Sequence, residues 1–182
     1  MERTLYTLTQ PVFLIGFMGA GKTTMARRLA RECGLICADT DRCMERKYGM
    51  SAKELYEQAG EEGFRQMEAE TLEEFVQGEP RIIACGGGIV MGERSREIIR
   101  TCGFAVYVHV TADESAERIS NHDSRPFFHS MESVRSVNQV RVPLYEELAD
   151  VTVDSSSRTS GRMAYEVKDI LVKEGILCPV RK

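Results

Sequence analysis

The chain has no apolar run long enough to cross a bilayer, so no membrane span is expected. Its first ten residues, MERTLYTLTQ, mix charges and hydroxyls and lack the apolar stretch of a secretion signal. The six cysteines (Cys33, Cys37, Cys43, Cys85, Cys102, Cys178) contain no C-x-x-C pair. The three histidines (His109, His122, His129) have no metal-site spacing with them, which argues against zinc. Cys33, Cys85 and Cys102 fall within apolar patterns and read as small core residues. Free thiols without a signal point to a reducing cytoplasm. A basic field is missing too. Lys plus Arg is 24 and Asp plus Glu is 28, a formal net charge of −4, which disfavours general nucleic-acid binding. A few arginines can still make a positive pocket for a small anion on such a surface. No repeat or low-complexity linker divides the chain. With 182 residues, 42% hydrophobic and 29% charged, one folded domain spanning 1–182 is expected.

What is present alternates. Short apolar runs at 11–15, 35–38, 81–85, 104–110 and 151–153 read as strands. Between them, 23–33, 42–48, 51–60, 62–77, 95–101, 112–120, 131–149 and 159–173 read as helices. Ser51-Ala52-Lys53-Glu54 matches a capping box, and Gly34 a helix stop. Pro143 predicts a kink or break in its helix. The polar stretch 121–130, with Pro126 inside it, reads as a loop. Strands alternating with helices mean an α/β fold, a parallel sheet covered on both faces.

Gly16-Phe17-Met18-Gly19-Ala20-Gly21-Lys22-Thr23 fits G-x-x-x-x-G-K-[ST] in full, between a strand and a helix. Glycine lets such a loop take positive φ values and bring backbone N–H groups to phosphate. The helix that follows directs its N-terminal dipole at the same charge. Lys22 can reach the β and γ phosphates, and the Thr23 hydroxyl can bind Mg²⁺. The D-x-x-G and N-K-x-D motifs of guanine-nucleotide switches are absent, and the third strand runs into Gly86-Gly87-Gly88 with no carboxylate. The carboxylates at a strand end are Asp39 and Asp41. If their segment is extended, residues two apart share a side and could divide the work between metal and substrate hydroxyl. Taken alone, the pair reads equally as a solvated loop or helix cap. Arg65, Arg125 and Arg141 are candidates for holding a carboxylate or phosphate through a planar fork.

With GFMGAGKTT, Asp39-Thr40-Asp41, GEEGFRQME, CGGG, Arg125-Pro126 and RVPLYEELA in that order, the sequence resembles shikimate kinase from Phe13 to about Asp154. The resemblance implies ATP-dependent phosphorylation of the shikimate 3-hydroxyl, with Mg²⁺ as cofactor. A monomer is expected as the working unit. The resemblance also implies a five-stranded parallel sheet in order 2-3-1-4-5, a substrate-binding helical segment at about 42–77 and a closing lid at about 121–130. It gives Gly19, Ala20, Gly21, Lys22, Thr23 and Thr24 to the phosphates, and Thr23 and Asp39 to the metal. Asp41 takes the substrate hydroxyls and their proton, and Arg65 and Arg141 take the carboxylate. Gly86, Gly87 and Gly88 lie against the substrate ring, Arg125 reaches the phosphates from the lid, and Arg118 and Arg158 lie near the adenine. The chain departs from the family pattern at Phe127 and Phe128, where two leucines are usual. It also departs in a short stretch from Arg125 to Arg141, and at Ser160, where proline is common. The rival readings are a gluconate- or adenylate-type kinase on the same fold and a non-catalytic nucleotide-binding regulator.

Overall fold

The computed structural model describes residues 4–119, 130–156 and 158–180. The first strand, β1 (Tyr6–Leu8), is followed by β2 (Val12–Ile15), whose four residues are all buried. That burial suits a parallel strand covered on both faces. Then come α1 (Lys22–Cys33), β3 (Cys37–Asp39), α2 (Thr40–Tyr48), α3 (Ala52–Val76) and β4 (Ile82–Ala84). A 3₁₀ turn at Ile89–Met91 leads into α4 (Glu93–Cys102) and β5 (Phe104–His109). After α5 (Ala112–Arg118) come α6 (Met131–Leu148), β6 (Val151–Asp154), α7 (Ser160–Lys173) and β7 (Leu177–Pro179).

The five-stranded sheet has the order β3-β4-β2-β5-β6, every neighbour parallel. Numbered along the five strands expected from sequence, that order is 2-3-1-4-5. Its carboxyl edge brings Gly16, Asp39 and Cys85 together, and open α/β sheets hold ligands at that edge. Met25, Ala26, Leu29, Ala30 and Cys33 bury one face of α1, as their spacing predicts. Among the described residues no helix is long and apolar enough to cross a membrane.

The structure differs from the sequence reading in four places. The second strand is Cys37–Asp39 and not 35–38. Gly34 caps α1 in the left-handed region and Leu35 N–H still bonds Ala30 O at 2.9 Å, so residue 35 belongs to the helix exit. α2 begins at Thr40, which puts Asp41 in a helical first turn and removes the alternation argument for the Asp-x-Asp pair. α6 runs through Pro143 without a break, with Arg141, Tyr145 and Leu148 all buried. Packing outweighs the hydrogen bond that proline removes. Finally β1 and β7 pair antiparallel, Tyr6 with Pro179, in a three-residue ribbon too short to leave a sequence signal. The boundary expected near Gly60 is real: φ 70° and ψ 178° interrupt α3 there.

Candidate active site

Two clefts meet at the carboxyl edge of the sheet. The first is the phosphate channel, lined by Gly19, Gly21, Lys22, Thr23, Thr24 and Arg118 together with Asp39, Asp41 and Gly86. Gly21 caps α1 at φ 91°, a conformation that favours glycine and turns the helix N-terminus onto the channel. Lys22 is buried, and its ammonium donates to Gly16 O at 2.7 Å and Phe17 O at 2.8 Å. These bonds hold the charge against the loop that carries it. Ser115 Oγ donates to Met18 O at 2.8 Å and ties the loop to α5. Ala20 is fully buried and supplies only backbone.

The Thr23 hydroxyl donates to Asp39 Oδ2 at 2.7 Å, and Asp39 Oδ1 accepts the Arg42 N–H at 3.1 Å. Asp39 is therefore both the cap of α2 and a carboxylate on the channel. Thr40 is fully buried, and its Oγ1 accepts the Gly86 N–H at 2.8 Å. That bond locks the start of α2 to the glycine turn. A Cβ on Gly86 would collide with Asp41 Oδ1, and one on Gly88 with the guanidinium of Arg65. At Gly86 and Gly88 the side chains of Asp41 and Arg65 occupy the space that a side chain of the turn's own would fill.

The second cleft is lined by Asp41, Tyr56, Phe64, Arg65, Glu68 and Arg141, with Met18 and Gly87 between them, and spans about 490 Å³ including its open mouth. That suits a small ring-sized ligand. Arg141 Nη1 donates to Gly87 O at 3.2 Å, and the Tyr145 hydroxyl donates to the same oxygen. Tyr145 is fully buried and stacks on Tyr107 at 5.1 Å. Burial presses the Arg141 pKa below its ordinary value, but a guanidinium stays charged in proteins. Arg65 Nη1 donates to Glu68 Oε2 at 2.6 Å. Two guanidinium groups and one buried carboxylate thus share one wall.

Burial pushes the Glu68 carboxyl up to about 7, against the opposing pull of Arg65. Burial wins although the ion pair is short, because desolvation acts on the whole ionised form. An anion on Arg65 would raise this group further. Anion binding is therefore favoured by protonated Glu68. As pH falls from 8 to 6, Glu68 takes up its proton and releases Arg65, so the affinity for a carboxylate ligand rises. Glu68→Gln should flatten that part of the pH profile. Substrate KM measured across the range checks it, and an unchanged slope in the variant would remove Glu68 as the source.

The structure brings Gly19, Gly21, Lys22, Thr23, Thr24, Asp39, Asp41, Gly86 and Gly87 to one channel, and Asp41, Arg65, Gly87, Gly88 and Arg141 to the adjoining cleft. Arg118 reaches the channel and donates to Ser155 O at 2.8 Å and Gly19 O at 3.4 Å. Arg158 lines neither cleft, and its side chain pairs with Glu166. Arg125, Phe127, Phe128 and the 121–129 part of the expected lid lie outside the described residues. Sequence reasoning missed Thr40, Glu68 and Tyr145. The last two sit three and four residues from arginines it did name, the spacing at which helix neighbours share a face.

The family model for shikimate kinase matches residues 18–172. A shikimate kinase of Dehalococcoides mccartyi is 35% identical over 164 residues, 89% of this chain and 93% of its own. Another from Bordetella avium is 37% identical over 150 residues, 81% of this chain and 72% of its own. The structure of shikimate kinase from Acinetobacter baumannii in complex with shikimate superposes with a TM-score of 0.86 at 29% identity, covering 94% of this chain and 96% of that one. A Sinorhizobium meliloti gluconokinase, TM-score 0.58 and 15% identity over 92% and 94% of the two chains, shares the fold alone.

Proposed function

We infer the working of this site from one premise: the chain belongs to the shikimate kinase family and transfers the γ-phosphoryl group of ATP to the 3-hydroxyl of shikimate, a step of aromatic amino acid biosynthesis. The observation that carries the residue roles is the place of Asp41, which lines both clefts. A hydroxyl held in the arginine cleft and a phosphoryl group held in the channel meet beside that one carboxylate.

The roles follow from position. Phosphoryl transfer asks a protein mainly for alignment and charge stabilisation. The backbone N–H groups of the loop and the Lys22 ammonium hold the phosphates. Asp41 orients the attacking hydroxyl and accepts its proton. Arg65 and Arg141 grip the substrate carboxylate and set the ring, and Gly87 and Gly88 let the ring lie against backbone. Arg118 borders the nucleotide side, and Arg125 would reach the phosphates from the 121–130 lid. A magnesium ion suits the donor set, since Thr23 and Asp39 offer hard oxygens 2.7 Å apart in the channel. When bound, it would neutralise phosphate charge as the bond breaks. We read the enzyme as a cytoplasmic monomer, and a reducing cytoplasm fits six cysteines of which none is in a disulfide.

A coupled ADP-release assay with shikimate, gluconate and AMP tests this reading. Turnover should be sustained with shikimate alone. Substrate placement is tested by Arg65→Ala and Arg141→Ala. Each leaves a substrate carboxylate underpaired in a mostly buried wall and should weaken shikimate binding by roughly 2–5 kcal/mol. ATP affinity measured without shikimate should hardly change. Lysine at either place should also bind poorly, because an ammonium cannot reproduce the planar fork. Normal shikimate binding with lost ATP binding in both variants would move the arginines to the nucleotide side.

A further inference from the structure

A third cavity, about 780 Å³ including its mouth, opens at the edge of the sheet between α1 and α2. Four arginines line it: Arg27 from α1, Arg42 and Arg46 from α2, and Arg81 from the approach to β4. Arg42 and Arg46 are four residues apart and so share a helix face. Their neighbours are paired: Lys47 with Glu74 at 2.5 Å and Arg28 with Glu32 at 3.4 Å. Among the described residues no carboxylate stands within ion-pair distance of the guanidinium of Arg27, Arg42, Arg46 or Arg81. Asp39 is the one carboxylate lining the cavity, and its oxygens already accept from Thr23 and from the Arg42 backbone. In a chain with formal net charge −4, four guanidinium groups around one concavity without acidic partners are an uneven placement of charge.

We propose that this cavity binds a small organic polyanion, a phosphate ester or a polycarboxylate with at least two negative charges, and that its occupancy tunes catalysis. Planar forks from three elements suit an anion with more than one acidic group. The cavity lies outside the substrate cleft and shares only Thr23 and Asp39 with the phosphate channel. A ligand bridging Arg27 to Arg42 and Arg46 ties α2 to α1. Asp41 is in the first turn of α2, immediately before Arg42, so bracing that turn acts on the residue that meets the hydroxyl. The two sites are then coupled through α2, a single rigid element. Arg27, Arg42 and Arg46 are exposed and Arg81 is half-buried, so affinity falls as salt rises.

Calorimetry on the full chain at low salt, with ADP and shikimate saturating both clefts, tests the proposal. The probes are fructose 1,6-bisphosphate and citrate. Binding of the first alone identifies a phosphate-ester site, and of the second alone a polycarboxylate site. Arg46→Glu and Arg27→Gln should each weaken the bound probe at least tenfold, leave ADP affinity within twofold, and remove any effect of the probe on turnover. If neither probe binds while both clefts are filled, or if both variants bind it as wild type does, the proposal is wrong. The same holds if the probe binds and turnover stays unchanged.

Discussion

Asp41→Asn should lower kcat by at least about a hundredfold, the scale of a lost general base, while ATP still binds. The substitution keeps shape and removes charge. Asp41 stands in the first turn of α2, where the helix N-terminus favours a negative group. It packs so closely on Gly86 that a larger residue at either place would displace the other. Asparagine therefore fits the same space and isolates the chemical role from the steric one. Steady-state kcat, with nucleotide affinity measured separately by calorimetry, checks it. Near-normal turnover would take Asp41 out of the mechanism and leave positioning alone to explain the rate.

Lys22→Ala should abolish efficient transfer, with a loss of about 10²–10³ in kcat or more, as for removal of a preorganised charge at a reacting centre. The ammonium is buried and bonds two carbonyls of its own loop. Its removal therefore takes away the charge for the β and γ phosphates and also one brace of the loop. Far-UV circular dichroism should show the helices intact, because α1 is held by its apolar face and not by Lys22. A folded variant that still transfers phosphate well would contradict the assignment of the loop.

The phosphate loop was readable because all of its chemistry lies in eight consecutive residues. The capping box at Ser51 and the stop at Gly34 were readable for the same reason. Asp39 and Asp41 were found from their place after a strand, but by a geometric argument that the helix starting at Thr40 overturns. The order of the five strands and the roles of Arg65 and Arg141 came from the family resemblance. No local pattern says that a residue at 65 and one at 141 will face one cleft. Thr40 was invisible because its partner is the backbone of Gly86, forty-six residues away. Tyr145 read as an ordinary core aromatic, since what ties it to the cleft is one hydroxyl bonded to a distant carbonyl. The four-arginine cavity escaped notice because three separate elements build it, and each arginine alone looks like a solvated surface residue.

Gly88 lines the arginine cleft and Gly60 interrupts α3, and the two are kept for opposite reasons. At Gly88 the backbone, φ −98° and ψ 0°, is comfortable for any amino acid, and the obstacle is the Arg65 guanidinium. At Gly60 a side chain would meet open space, and the obstacle is handedness: φ 70° with ψ 178° suits the mirror image of an L-residue. Tolerance at the first position should therefore grade with size and recover if its neighbour is trimmed. Tolerance at the second should not grade with size at all, since the first carbon of any L side chain already meets the whole objection. Room can be made by a compensating change elsewhere in the protein. Chirality cannot, so Gly60 has no second-site remedy short of rebuilding the bend.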